Sequence, residues 1–346
     1  MRLEDILTQI APAEQRAMAE AKRRWDAVAH PLNSLGMLET DVIRIAGMTG
    51  SPYIDISKRA VGVMCADNGV VEEGVTQTGQ EVTALVTENM STGDTSVCRM
   101  SHVAGADVIP VDIGVARPVK GGKIRQKNIR RGTANMTQGP AMTREEALAC
   151  VQVGIDMARE EAARGVTLLA AGEMGIGNTS PSSAIAAVLT GASVDEVTGI
   201  GSGIPSERVR HKAGLIRRGI AINRPNPSDA VDVLAKVGGP ELAAMSGLML
   251  GGASLRIPVV VDGFIAGAAA AIAIGIRPGV RDMLIGSHSS VEPGHQILMD
   301  YLGIPTYFDF GLRLGEGTGA ALLYPIIDAA VRILTEMNTL QGIGMK

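Results

Sequence analysis

Two glutamates of this chain stand inside glycine-rich hinges. The first hinge, Gly172-Glu173-Met174-Gly175-Ile176-Gly177-Asn178-Thr179, follows the apolar run 166–171. The second, Gly315-Glu316-Gly317-Thr318-Gly319, follows residues 307–314 and leads into a helical pattern over 320–334. Glycine admits a ligand close to the backbone, and a helix start turns unpaired N–H groups toward an anion. A carboxylate is a poor neighbour for a bound anion unless it has a proton to move. The pairing points to chemistry on an anionic substrate, with a glutamate as acid or base.

The segments that must position these hinges alternate in pattern. From residue 58 on, short continuous apolar runs at 61–66, 108–113, 167–171, 258–261, 283–286 and 306–310 read as six strands. Such runs suit a parallel sheet covered on both faces. Helical stretches lie at 80–90, 144–163, 182–189, 206–222, 242–251 and 319–337. The fold class is therefore α/β: a doubly wound, mostly parallel, six-stranded Rossmann-like sheet. Residues 1–49 read as helices, with a charged amphipathic stretch over 13–29 and apolar residues at helical spacing over 38–46. We expect a small helical domain from both chain ends, 1–57 and 325–346, beside a large α/β catalytic domain, 58–324.

Polar residues and glycines gather at the strand ends: Asp67-Asn68-Gly69, Asp112 with Gly114, Gly172-Glu173, Asp262-Gly263, Ser287-His288-Ser289-Ser290, and Asp309 leading to Glu316. Ligands of open parallel sheets bind beyond the carboxyl ends of the strands. One or two of these acids would serve as helix caps. Six polar ends together mark a site.

Composition excludes several classes. The chain has 346 residues, 46% of them hydrophobic, and a net charge of −4, which argues against a general nucleic-acid binder. Aromatics are only 2%, so stacking platforms for single strands are not expected. The 43 glycines suit an enzyme with many close-approach loops. Cys65, Cys98 and Cys150 form no CxxC pair and lie in apolar segments, as reduced core thiols of a cytoplasmic protein do. Met1-Arg2-Leu3-Glu4-Asp5 puts acids where an export signal has its basic region, so none is expected. Residues 257–276 approach membrane-spanning length, but Asp262-Gly263 interrupts them; a buried strand and a buried helix are the better reading.

Nucleotide fingerprints are weak. There is no G-x4-G-K-[ST], which excludes a P-loop enzyme. Gly315-x-Gly317-x-x-Ala320 fits a permissive dinucleotide pattern, but Glu316 would point a charge at the pyrophosphate. Residues 258–262 resemble faintly the strand of diphosphoribosyl-using transferases, without its second acid or its Gly-Thr loop. The loop 175–179 has more glycine than an N-cap needs, which favours a phosphate cradle. A second glycine loop, 199–203, precedes a helix carrying Arg208, Arg210, His211 and Lys212, where one cation reaching a phosphate would be normal. The basic run 117–131 reads as a solvated loop. His288, Glu292 and His295 lack the spacing of a metal site, and no metal is expected. No G-x-S-x-G elbow occurs.

Taken together, these stretches resemble the nicotinate-nucleotide–dimethylbenzimidazole phosphoribosyltransferase family. The matching segments are Pro31-Leu32-Asn33-Ser34-Leu35-Gly36-Met37-Leu38-Glu39, Ala66-Asp67-Asn68-Gly69-Val70, Gln80-Glu81-Val82-Thr83, both glutamate hinges, residues 257–264 and Glu292-Pro293-Gly294-His295. The second hinge matches from Arg313 to Ala321, and the order is the family's from about residue 31 to 325. The resemblance implies transfer of the 5-phosphoribosyl group of nicotinate mononucleotide to an aromatic base, giving an α-ribotide and nicotinate in cobamide biosynthesis. It implies no cofactor and a dimer with the site near the subunit contact. The dimer is a homodimer or pairs the chain with a paralogue. Glu316 matches the catalytic base and Glu173 a second carboxylate near the ribose. Gly175, Gly177, Asn178 and Thr179 would hold the nucleotide, with Ser290 and Lys212 as phosphate contacts. Thr78, Gln80, Leu314, Gly315, Gly317, Asp67 and Asp262 complete the expected site. The family further implies that Glu316 lies in a largely apolar pocket, where burial makes a carboxylate a better base.

One departure concerns the acceptor. Where many members have a tyrosine- or serine-proline pair before Gln-Glu-Val-Thr, this chain has Thr76-Gln77-Thr78-Gly79. Dimethylbenzimidazole is the first expectation, with a purine or a phenol as alternatives. The competing classes are a non-catalytic paralogous subunit, which the retention of both glutamates disfavours, and a nicotinamide-dependent oxidoreductase resting on residues 315–320.

Overall fold

The computed structural model describes residues 3–345. Its strands are β1 (Arg59–Ala66), β2 (Ala106–Gly114), β3 (Arg125–Gln126), β4 (Leu168–Met174), β5 (Val259–Val261), β6 (Leu284–Gly286), β7 (His288–Ser290) and β8 (Phe308–Leu312). The first six form one sheet in the order β3-β2-β1-β4-β5-β6, with every pair parallel. The middle strands are buried almost throughout, as continuous apolar runs require when helices cover both faces.

One strand expectation fails in detail. The run 306–310 does not join the main sheet; as β8 it pairs with β7 in a separate two-stranded ribbon. Its rings pack within the ribbon, Phe308 stacked on His288 at 6.0 Å between centroids and tilted against Phe310 at 4.8 Å. The sixth place belongs to β3, inside the basic run 117–131 that reads as a solvated loop. That run is paired rather than free. Arg125 meets Glu160 and Glu161, Arg117 meets Glu88, and Arg130 meets Glu146.

The helix Arg144–Ala163 opens with a capping box between Thr143 and Glu146, which satisfies two orphan amides. It packs on Pro240–Ser254 along glycines: a side chain at Gly154 would collide with the Ala244 carbonyl, and one at Gly247 with that of Val151. Part of the high glycine content therefore serves helix contact, not loops. The helix Phe264–Ile276 follows β5 and, at 13 residues, is too short to span a bilayer. One helix, Thr318–Glu336, is long and apolar enough to do so, and 56% of its apolar window is buried.

The chain ends meet. Ala29 and Leu340 amides donate to the Asn338 and Ala27 carbonyls, and Val28 bridges Thr339. The helices Gln15–Asp26 and Met37–Thr49 pack together nearby. Tyr324 donates to the Ala60 carbonyl at 3.2 Å and Arg59 pairs with Asp328 at 2.6 Å, tying the last long helix to β1. The helices Ser96–Val103, Ala230–Val237 and Gly294–Leu302 had no sequence expectation.

Candidate active site

β1 and β4 are neighbours, but their onward connections run to opposite sides of the sheet, so a crevice opens at their carboxyl ends. Glu173 stands there, 5% exposed and in register with Met64 of β1. Its Oε2 accepts a hydrogen bond from Nδ2 of Asn178. Asn178 occupies the N-cap position of the helix Thr179–Thr190, yet its side chain caps nothing there. Burial pushes the Glu173 carboxyl up to about 8; the Asn178 bond opposes this, and Asp262, Glu241 and Glu316 add to it.

Glu316 is positioned differently. Its φ of +62° lies between those of Gly315 at +86° and Gly317 at +89°. Three left-handed residues in succession persist only where the surroundings over-determine them, because the non-glycine one is strained. Those surroundings are explicit. The Glu316 amide donates to the Glu173 carbonyl at 3.2 Å. Asp262 accepts from the Gly317 and Ala320 amides at 3.1 and 3.0 Å. A Cβ on Gly172 would stand 2.5 Å from the Glu316 carbonyl oxygen, so the two hinges are in contact back to back.

The Glu316 side chain is 8% exposed, and its Oε2 accepts from the Val97 amide at 3.5 Å, at the start of the helix Ser96–Val103. Burial raises its pKa above the ordinary value, the Val97 amide opposes, and Asp262 adds to the rise. Asp262 and Glu173 share the surroundings, which are less apolar than the family resemblance implied.

The loop 175–179 faces residues 201–202 across a narrow cleft of about 100 Å³. Glu173, Gly175, Gly177, Asn178, Thr179, Ser290, Leu314 and Gly315 line it, as do His288 from the polar strand ends and Thr76 from the acceptor segment; Ser202, Phe264, Glu292 and Arg313 line it too and were not among the expected site residues. Lys212 lies just behind: its Nζ donates to Thr179 Oγ1 at 2.7 Å and to the Gly199 carbonyl at 3.3 Å. Burial pulls Lys212 down to about 8, against the pull of Glu292. Arg313 donates to the Gly201 carbonyl at 3.3 Å and makes no ion pair among the described residues. The side chain of Gln77 reaches the Gly203 carbonyl. These two contacts latch the cleft, which is narrower than the roughly 300–1,000 Å³ usual for ligand pockets.

The remaining expected residues stand outside the lining. Thr78 is exposed, its carbonyl accepting from Thr76 Oγ1 at 2.7 Å. Gln80 donates to the Asn68 carbonyl at 3.0 Å. Asp67 accepts from the Ala116 amide at 2.7 Å and fixes the loop after β2. Asp262, Gly317 and Glu316 lie beneath. Asp67 and Asp262 are thus brackets for backbone. His295 Nε2 contacts the His288 carbonyl at 2.9 Å, and Glu292 Oε1 accepts from the Gly201 amide at 2.8 Å, so these side chains serve loop contacts. A cavity of about 860 Å³ beside Met90, Cys98, Ile109 and Lys123 lies along the outer edge of β2, away from both hinges.

Residues 10–344 match a family model described as Phosphoribosyltransferase, and the chain belongs to this family. It is an enzyme of the phosphoribosyltransferase class. Two similar relatives carry the same name. A nicotinate-nucleotide–dimethylbenzimidazole phosphoribosyltransferase of Clostridium acetobutylicum is 45% identical over 342 residues, covering 99% of this chain and 97% of that protein. A protein of the same name from Geobacter sulfurreducens is 46% identical over 345 residues, with 99% and 98% covered. The crystal structure of CobT from Thermus thermophilus superposes with a TM-score of 0.91 at 40% identity, covering 96% of this chain and 99% of that one.

Proposed function

We propose that the protein transfers the 5-phosphoribosyl group of nicotinate mononucleotide to 5,6-dimethylbenzimidazole, giving α-ribazole 5′-phosphate and nicotinate in cobamide biosynthesis. The observation that carries this is the placing of a buried, strained Glu316 against Glu173 beside a glycine loop at a helix N-terminus. The relatives' shared name supports the same substrates.

Glu316 takes the proton from one ring nitrogen of the base while the other nitrogen attacks C1′ of the ribose. The bond from C1′ to the nicotinate ring nitrogen breaks, and its electron pair returns to that ring. Because the leaving ring is a cation before departure, it needs no protonation. Attack from the opposite face turns the β linkage into α. Glu173, held by Asn178, stands beside the sugar as a neutral carboxyl that keeps its proton below about pH 8. The amides of the loop 175–179 and the ammonium of Lys212 take the phosphate. The Gln77 and Arg313 latches part to admit the nucleotide. We assign the working form as a homodimer in the cytoplasm; the three free cysteines suit that compartment, and exposed Leu32, Phe310 and Leu314 suit a subunit contact.

The test is an HPLC–mass spectrometry assay with nicotinate mononucleotide and dimethylbenzimidazole, adenine and phenol in competition. The expected result is an α-ribotide with equimolar nicotinate, dimethylbenzimidazole being the preferred acceptor. Folded protein that releases no nicotinate with any base refutes the proposal.

A further inference from the structure

Glu241 is wholly buried and has no part in the reaction above. It is the second residue of the helix Pro240–Ser254, behind the Gly239 turn. Its Oε1 accepts a hydrogen bond from Asn68 Nδ2 at 2.8 Å. Its Oε2 has no partner, and neither has Asn68 Oδ1. The two orphan atoms crowd the same place: a Cβ on Gly239 would stand 2.6 Å from Oε2 and 2.9 Å from Asn68 Oδ1. Two buried acceptors left without a donor are unfavourable, and a single proton on Oε2 turns one of them into a donor for the other.

The surroundings favour that proton. The charged groups acting on Glu241 among the described residues are Asp67 from the loop after β1 and Glu173 from β4. Cys150, from the helix Arg144–Ala163, is pushed up to about 12 and stays neutral. No cation acts on Glu241 among the described residues. The Asn68 amide and the residue's own backbone N–H favour the ionised form, but the only charged neighbours of an ionised Glu241 among the described residues would be other acids.

The pair also touches the site. A Cβ on Gly175 would lie 3.2 Å from Asn178 Nδ2 and 3.3 Å from Asn68 Nδ2. Two carboxamides therefore flank the nucleotide loop, Asn178 tied to Glu173 and Asn68 tied to Glu241.

We propose that Glu241 works protonated, as a positioning residue: its closed acid–amide pair with Asn68 fixes the floor beneath the Gly175 loop and keeps a further negative charge away from Glu173. The kinetic half of this rests on the reaction proposed above; the structural half does not. Burial pushes the Glu241 carboxyl up to about 7. A carboxyl raised in the folded state stabilises fully below its unfolded value, and that stability is lost as pH rises through about 7. When the proton leaves, the Oε2–H bond breaks, the proton passes to solvent, and two acceptors are left face to face.

Glu241→Gln tests the pair, because its amide N–H replaces the acid O–H at every pH. Melting temperatures of the wild type and this variant, compared between about pH 5 and about pH 8, need no substrate. The variant is expected to fold and to gain on the wild type as pH passes about 7. An unfolded variant, or a difference that is flat or runs the other way, overturns the pairing. Carbon-13 NMR of glutamate-labelled wild type at mildly acidic pH should show a protonated carboxyl absent from the variant; its absence from the wild type overturns it too. In turnover, the variant should keep kcat within about threefold below about pH 6 and lose the alkaline fall near 7, leaving a later fall near 8 from Glu173. A fall near 7 that persists in the variant overturns the positioning role even if the melting result stands.

Discussion

The two glutamate hinges look alike in sequence and are built in opposite ways. Glu173 ends a strand, keeps strand geometry and is gripped by Asn178. Glu316 leaves the ribbon strand β8 through three left-handed residues and meets only a long contact from the Val97 amide. The first is a carboxyl fixed in place and held neutral by burial. The second is a carboxylate on a strained turn, with its side chain lightly held. In the reaction proposed above, a proton acceptor that must approach its substrate belongs on the second kind of support, and a group that must stay put beside the sugar on the first.

The sharpest way to break this contrast is Glu316→Gln. Loss of a general base costs about 10²–10⁴ in kcat, with melting temperature little changed; a loss below tenfold would move the base elsewhere. Its pH profile follows from the sign of the shift. Glu316 must be ionised to act and its pKa is raised, so kcat/KM should climb with pH on an acid limb above the ordinary glutamate value. An acid limb at the unshifted value, or one retained in the variant, would assign the limb to another group.

Next comes the contact between the hinges. Gly172→Ala places a methyl against the Glu316 carbonyl and must shift the turn. A displacement of that order costs about 10² in kcat, measured with KM for the nucleotide unchanged; an active variant would show that the two hinges are mechanically independent. A smaller effect is expected at Lys212. Lys212→Met removes the ammonium behind Thr179 and should raise KM for the mononucleotide about tenfold or slightly more, the worth of a hydrogen bond to a charged group. A fall in kcat at unchanged KM would contradict its assignment to the phosphate.

Glu173→Gln should have the smallest effect at neutral pH, because the free enzyme's Glu173 already holds its proton below about 8. We expect kcat within about tenfold of wild type. The raised carboxyl also stabilises the fold at low pH and loses that contribution as pH climbs through about 8, so the Gln variant should gain relative stability there. Equal losses at Glu173 and Glu316 would abolish the distinction between the hinges.

Much of this architecture was legible because the buried strands are short continuous apolar runs separated by longer helical stretches. Both hinges were legible because glycines flank a charge where none is otherwise needed. The missed features are those without a local pattern. β3 is two polar residues whose pairing depends on Glu160 and Glu161 from a helix begun 18 residues later. The helix Ser96–Val103, which supplies the amide facing Glu316, has only eight residues and no capping side chain. Asp67 and Asp262 read as ligand-facing, but their partners are amides 49 and 55 residues away, a pairing that only the folded chain creates. Arg313 and Ser202 reach the cleft by loop closure, which sequence spacing does not encode.

The short strand β3 has a consequence for life at high concentration. An open sheet ends in unpaired amides and carbonyls that invite another chain to add itself, the first step toward a fibre. Here the outermost strand offers only Arg125 and Gln126. Arg125 is clamped between two glutamates, and further charges follow at Lys127, Arg130 and Arg131. A neighbouring molecule approaching that border would have to strip water from charge after charge to gain two residues of ladder. The basic run thus guards the stretch of sheet border formed by β3 against pairing with another chain.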